Sequence, residues 1–402
     1  MLPKAPGADC AHCPGKDRPF VPPEPSPRNR LAVVGEGPGA NEVRERRPFV
    51  GASGRMMMKG LATIGVKRLD VHWTNAVLCD VRHKDLPTAR KCCAKRLQAE
   101  LATAAPPVVM PVGALGARSA LLWPKSTPIM KWRGSVSRVN YGVGCSVREP
   151  GPDTGSSSQR AREGLQGGST PPGAAAAWVL PTVHPAFVMR SPQWGRALEI
   201  DVERVGRVMR FGFVEPENEN GRRTIIARDD ASLREGLRAL EAARFIGFDV
   251  ETVGLGPTST ALVCFGLSDG TTTVVIPWAR RDGSVLWWPK PQRVAAMVST
   301  LWRSRVVVTH NGPAFDHIVA QRYGLEIAQW DDTLLAAHAI APELPKNLAH
   351  VVTMGIDVPP WKMLEDRGAS VERLWHYNAR DALYMMLRFA QLRPELGIQE
   401  AA

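Results

Sequence analysis

An apolar run that empties directly into glycine most constrains what this chain can fold into. RLAVVGEGPGA is followed by NEVRERRPFVGASG, and the stretch VVGEGPGANEVRERRPFVGASG holds five Gly and two Pro. The apolar part reads as a buried strand and the rest as a glycine-rich loop. Glycine lets such a loop take positive φ and come close to a ligand. DVHWTNAVLC reads as a second strand, PPVVMPVGALGARSALL as a strand and helix, and AAWVLPTVHPAF as a late strand entering a loop. Strands alternating with helical stretches predict an α/β domain with a largely parallel sheet.

The pattern restarts after VEPENENGRR, residues 214–223. ASLREGLRALEAA has the period of an amphipathic helix. RFIGFDVET is a strand, TALVCFGLSDG and TTTVVIPW form a hairpin, and RVVVTHNG is a further strand. DTLLAAHAIA and HYNARDALYMMLRFAQL read as helices. The expected division is 1–213, a linker at 214–223, and a second α/β unit at 224–402. Residues 148–177 are rich in Gly, Ser and Pro and aperiodic, which reads as a flexible insertion in the first unit. No internal repeat relates the halves.

At 402 residues the chain has room for two or three domains. Residues 1–222 carry 32 basic and 19 acidic residues, a charge of +13, whereas 223–402 carry −1. A basic half suits a polyanion, nucleic acid first. No apolar run is long enough to span a bilayer, and MLPKAPGADCAHCPGK has no apolar signal core, so a cytoplasmic address and no membrane partner are expected.

Seven cysteines stand at 10, 13, 79, 92, 93, 145 and 264. An odd count in a chain expected to be intracellular argues against a disulfide framework. Cys10-x-x-Cys13 with the distant Cys79 and Cys92–Cys93 suits a four-thiolate centre. Spacing alone leaves zinc and iron–sulfur both open.

The first unit's remaining polar residues fit the removal of a base from DNA. That chemistry needs an extruded base in a pocket, an aromatic face, an amide that reads the edge of uracil, a carboxylate and a group that supports charge on the departing base. Glu36 and Glu42 flank the glycine loop, Phe49 lies in PFVG, Asn75 ends the TNAV strand and His184 follows the late strand. GEGPGANE, RPFVGASG, TNAVLC and PTVHPAFVMR, with the cysteines, resemble the iron–sulfur family 4 uracil-DNA glycosylases over about residues 8–212.

This resemblance implies an α/β/α sandwich. It implies catalytic roles for Glu36, Glu42 and His184, and uracil contacts from Gly37, Phe49 and Asn75. Phe187, Val188 and Met189 become wedge candidates beside DNA, with Arg190 on a phosphate. It implies a [4Fe–4S] cluster on Cys10, Cys13, Cys79 and Cys93. Cys93 is preferred to Cys92 because the family's last cysteine opens a helix with Leu four residues on, as Leu97 is here. Cys145 and Cys264 are left as ordinary thiols.

The second unit carries acids without thiol or histidine partners. Asp249 and Glu251 lie at i, i+2 on a strand, on one face. Asp316 ends THNGPAFD, and Tyr377 and Asp381 share a helical face. Converging carboxylates suit Mg²⁺ or Mn²⁺. This order resembles the DEDDy 3′–5′ exonucleases over about residues 224–395, and NLAHVVTMGIDVPPWK resembles exonuclease domains of family A DNA polymerases. The resemblance implies an RNase H-like fold and two-metal hydrolysis on Asp249, Glu251, Asp316 and Asp381, with Tyr377 orienting water. Asp332 reads as a supporting acid, and His310 and Asn311 as contacts for a substrate end.

A bifunctional DNA-processing enzyme is the leading expectation, acting on uracil-containing DNA and on 3′ ends. One alternative is a catalytically silent glycosylase-like module that delivers an active exonuclease to DNA. DVRHKDLPT, which follows Cys79 where the family has an Arg-Pro-Pro-like stretch, motivates it. The other is a proofreading subunit acting in trans for a separate DNA polymerase.

Overall fold

In the computed structural model, residues 4–123, 127–141, 175–219, 221–254, 256–280, 282, 286–364 and 370–398 are described. The chain divides into two α/β units, Met1–Phe213 and Val214–Ala402. No helix among the described residues is long and apolar enough to cross a membrane.

The first unit is built from β1 (Leu31–Gly35), α1 (Ala40–Glu45), α2 (Ala52–Thr63), β2 (Val71–Asn75), α3 (Leu86–Ala104), β3 (Val108–Pro111), α4 (Gly113–Ala120), β4 (Ser137–Tyr141), β5 (Ala175–Val179), α5 (Pro185–Arg190) and α6 (Gly195–Phe211). The strand order is β2-β1-β3-β5-β4. β1 pairs parallel to both β2 and β3, β3 parallel to β5, and β4 antiparallel to β5. β1 and β3 are buried along their whole lengths, as strands covered by helices on both faces must be. The order in which successive strands are added to the sheet reverses between β1 and β3, and in such sheets ligands bind beyond the carboxyl ends of the strands at that switch point.

The expected insertion needs a new boundary. Ala175, Ala176 and Ala177 belong to β5, paired with Tyr141, Asn140 and Val139. Cys145 and residues 148–174 lie outside the described residues. In the expected linker, Pro216–Asn218 forms a turn of 3₁₀ helix, and β6 begins at Arg223.

The second unit comprises β6 (Arg223–Ile226), α7 (Asp230–Ala239), β7 (Phe245–Val253), β8 (Ala261–Ser268), β9 (Thr272–Pro277), α8 (Pro291–Trp302), β10 (Val306–Thr309), α9 (Asp316–Arg322), β11 (Trp330–Asp332), α10 (Thr333–Ile340), α11 (Leu348–Thr353), α12 (Trp361–Leu364) and α13 (Val371–Glu395). Its mixed sheet runs β11-β10-β7-β8-β9-β6. Phe248, Phe265, Trp278 and Trp302 fill one side of the core with tilted and edge-on ring pairs. On the other side, Gly247 and Gly266 let α13 lie close on the sheet. A Cβ on Gly247 would stand 2.4 Å from Met386 Cγ, and one on Gly266 would stand 2.8 Å from Asn378 Oδ1. This close approach brings the polar face of α13 over β7.

Candidate active sites

In the first unit the carboxyl ends of β1, β2, β3 and β5 gather Glu36, Asn75, the start of α4 and His184. β1 hands straight to Glu36, whose Oε1 accepts the Leu115 N–H of α4 at 3.0 Å. Gly113, at φ +82°, makes room, since a Cβ there would be 2.5 Å from that oxygen. A helix N-terminus is a favourable seat for a carboxylate.

Glu42 is used differently. Its two oxygens accept Gly39 N–H at 3.1 Å and Gly51 N–H at 2.8 Å, which ties the glycine loop to the PFVG turn. Gly37 packs near Leu86, with 3.4 Å from a virtual Cβ to Leu86 Cδ2.

Phe49 is buried, takes the left-handed conformation at φ +54° and packs on Trp73 at 5.0 Å between ring centroids. Its ring edge and the Asn75 amide meet over Gly35. A Cβ there would be 2.2 Å from Asn75 Oδ1 and 2.9 Å from Phe49 Cζ. Among the described residues no group hydrogen-bonds the Asn75 side chain, although its backbone is firmly held. Arg96, fully buried, donates to Asn75 O at 2.6 Å, Ala76 O at 2.9 Å and Thr74 Oγ1 at 3.2 Å. Glu100 pairs with Arg96 at 2.6 Å and with His72 at 2.8 Å. Gly35→Ala is expected to lower activity at this site about 100-fold by pushing the amide aside, with the far-ultraviolet circular dichroism unchanged. Wild-type turnover in a folded variant would remove the amide from the site.

His184 caps α5, and its Nδ1 accepts the Ala186 N–H at 3.1 Å. Nδ1 is therefore the unprotonated nitrogen and Nε2 carries the proton. Burial holds the imidazole below its usual pKa, aided by Arg190 and opposed by Glu36 and Glu42. Of the wedge candidates, Met189 and Arg190 are exposed, and Phe187 is half-buried against Trp194. Val188 is buried, a correction to its reading as a wedge, because a side chain packed inside the unit cannot enter a base stack.

The N-terminal segment returns to the sheet beside these residues. Val21 N–H donates to Leu78 O, and Glu24 pairs with Trp73 through both backbone groups. This brings Cys10 and Cys13 to Cys79 and Cys93, which feel one another's charge. N–H groups reach Cys10 Sγ from Lys4 and Cys13 Sγ from Gly15, both at 3.4 Å, and the Lys4 ammonium lies 3.8 Å from Cys79 Sγ. Burial raises the thiol pKa of Cys79 and Cys93. No three cysteine sulfurs among the described residues lie mutually within 4.8 Å. An all-thiol donor set of this kind suits zinc or an iron–sulfur centre. Cys93 is buried and Cys92 half-buried. Cys93 does not open a helix as expected, because α3 already starts at Leu86. Cys264 is buried in the second unit's core.

In that second unit, Asp249, Glu251 and Asp381 bring ligand oxygens within 4.8 Å of one another, and the three carboxylates fit a hard divalent cation. Asn378, one turn before Asp381, donates to Asp249 Oδ2 at 2.7 Å and to Asp249 O at 3.1 Å. Desolvation, then Asp381, Asp316 and Glu251, push Asp249 well above the usual carboxylate range, with Lys362 opposing.

Asp316 lies outside the close trio. Its Oδ1 accepts the Val250 N–H at 3.1 Å, and burial raises its pKa to about 7. Tyr377 is buried, and Lys362 Nζ donates to its Oη at 2.6 Å. Asp332 caps α10 through Leu334 and Leu335 N–H and also takes Gly312 N–H and Thr309 Oγ1. His310 pairs with Thr333 Oγ1 through Nδ1, and its buried Nε2 has no hydrogen-bond partner among the described residues. Asn311 begins a 3₁₀ turn at φ +63°.

Carboxyls raised by folding stabilise the protonated form, so their contribution is present at low pH and lost as pH rises through about 7. With EDTA, the second unit's Tm is expected to rise between pH 8 and pH 5, and excess Mg²⁺ is expected to flatten that slope. Calorimetry at stepped pH checks this, and a flat metal-free profile would refute it.

Residues 22–201 match the uracil DNA glycosylase superfamily model. A type-4 uracil-DNA glycosylase from Archaeoglobus fulgidus is 26% identical over 193 residues, 47% of this chain and 81% of the relative. One from Thermotoga maritima is 35% identical over 108 residues, 26% of this chain and 56% of the relative. Among solved structures, Escherichia coli RNase D, an exoribonuclease involved in structured RNA processing, aligns over 44% of this chain and 46% of its own at 21% identity, TM-score 0.34. The Aedes aegypti Nibbler EXO domain aligns over 43% and 88% at 13% identity, TM-score 0.35. Residues 22–201 are thus similar to the uracil DNA glycosylase superfamily, and a second α/β unit with its own carboxylate cluster follows them.

Proposed function

We propose that the first unit hydrolyses the N-glycosidic bond of deoxyuridine in DNA and that the second removes nucleotides from 3′ ends. The meeting of an unclaimed Asn75 amide and the Phe49 ring over Gly35, at the strand ends that also carry Glu36 and His184, supports the first half. The Asn75 amide can donate to uracil O4 and accept from N3–H, a pairing that cytosine does not offer. Phe49 forms the pocket wall that a flipped base would meet. Glu36, held by Leu115 N–H, orients water toward C1′ or supports positive charge on the sugar. As the C1′–N1 bond breaks, its electron pair leaves with uracil. The His184 Nε2–H is the donor suited to the resulting oxyanion, and a neutral imidazole donates without first losing a proton. Glu42 acts as a positioning residue through Gly39 and Gly51. Met189 and Arg190 supply the exposed DNA-facing groups.

Cys10, Cys13, Cys79 and Cys93 would hold a [4Fe–4S] cluster that fastens the N-terminal segment and α3 together. Asp249, Glu251 and Asp381, supported by Asp316, would hold two Mg²⁺ or Mn²⁺ ions. Those ions, when bound, would supply an activated water and stabilise charge on the scissile phosphate. Asn378 fixes Asp249, and Tyr377, whose Oη accepts from Lys362 Nζ, would orient the water.

A 5′-labelled oligonucleotide with one uracil tests the first half. It is incubated with anaerobically purified protein in EDTA and then treated with alkali. Cleavage at the uracil, absent from a thymine control, is expected. No cleavage by cluster-loaded protein would leave a DNA-binding module beside an exonuclease. Mg²⁺-dependent shortening from the 3′ end of a uracil-free strand tests the second half.

A further inference from the structure

Three carboxylates converge in the second unit, and one lysine already reaches them. Lys362 Nζ donates to Asp381 Oδ2 at 2.5 Å and to Tyr377 Oη at 2.6 Å. The preceding residue, Trp361, donates from Nε1 to Asp381 Oδ1 at 2.7 Å. Both Asp381 oxygens are therefore claimed by adjacent residues of the four-residue helix α12. The ammonium also lies 4.5 Å from the centre of the Tyr377 ring, and its charge reaches Asp249. Trp361 is fully buried and packs edge-on against Tyr384 at 5.0 Å, so it is anchored. The Lys362 side chain is 27% exposed, on a flexible four-carbon stem.

Carboxylates this close share a desolvated site only with a proton or a compensating cation among them. A lysine supplies one positive charge and a divalent ion two, and Asp381 is common to both. We propose that Lys362 is a resident counter-cation that competes with the divalent ion for Asp381, holding the metal-free site together and raising the metal concentration needed to fill it. This rests on the carboxylates being a metal site. Trp361 keeps Asp381 oriented whichever cation it meets. Lys362 is a positioning residue, since it acts through Asp381 and Tyr377.

The test is Mn²⁺ binding to the full chain, read by loss of the free-ion electron paramagnetic resonance signal. Lys362→Met is expected to bind Mn²⁺ about tenfold more tightly than wild type, because the competing charge is gone. Its metal-free Tm is expected to fall, and saturating Mn²⁺ to raise Tm by more than in wild type. Lys362→Gln keeps an N–H donor without the charge and should show the tighter binding even if Lys362→Met folds poorly. Lys362→Arg should return the affinity toward wild type. Wild-type affinity in both Lys362→Met and Lys362→Gln, with binding still lost in Asp249→Asn, overturns the competition and leaves the metal site standing. Absence of Asp249-dependent Mn²⁺ binding in wild type overturns both.

Discussion

Asn75→Ala is expected to lower uracil release about 1,000-fold while leaving DNA binding within a few-fold of wild type. The amide can both donate to and accept from a base edge, and among the described residues no group competes for it. Its loss would remove the two proposed hydrogen bonds to uracil and leave the base's own groups unpaired, at about 1–3 kcal/mol each. The loss should fall mainly on single-turnover chemistry, because a base that is not read is not held at the bond to be broken. Folding is not at risk, since Asn75 hangs from backbone that Arg96, Thr74 and the strand pairing with β1 already fix. Single-turnover kinetics in EDTA with an intact near-ultraviolet spectrum is the measurement. A loss of ten-fold or less would mean that the amide does not read the base.

Asp249→Asn is expected to move activity and stability in opposite directions. Nuclease turnover should fall about 10,000-fold, because a carboxylate shared by both proposed ions is gone. The metal-free Tm should rise, since one of the crowded like charges is removed and the amide still fits beside Asn378. Uracil release in EDTA should stay at the wild-type rate. A drop in Tm would mean that Asp249 is held by a compensating partner and not crowded by its neighbours. Mg²⁺-dependent digestion and calorimetry on the same preparation give both readings.

Much of this was legible in the sequence because period and punctuation carry it. The apolar run ending at Gly35 and the i, i+2 acids of β7 depend only on local pattern, and they stand where that pattern put them. The support around them was not legible. Arg96 reaches Asn75 across 21 residues, Asn378 reaches Asp249 across 129, and Lys362 meets Asp381 from a separate short helix. No window of sequence shows such partners. Glu36 and Glu42 looked equivalent, and only the folded backbone shows one seated on α4 and the other closing a loop. Val188 sat among wedge candidates because neighbours in sequence point to different sides of a helix. The start of β5 was obscured by its alanines, which carry no strand signal of their own.

That pairing of β4 with β5 has a consequence for where the two strands are held. Tyr141 and Ala175 are register partners, so the end of β4 and the start of β5 are neighbouring points of one ladder. Arg133 ahead of β4 and Thr182 beyond β5 are both bonded to buried Asp201 of α6, which clamps the strands. The cost of closing a loop between two points grows only with the logarithm of its length. Here the ladder and the Asp201 clamp hold the ends together. The two ends so held stand at the opposite end of β5 from His184, away from the strand ends that carry Glu36 and Asn75.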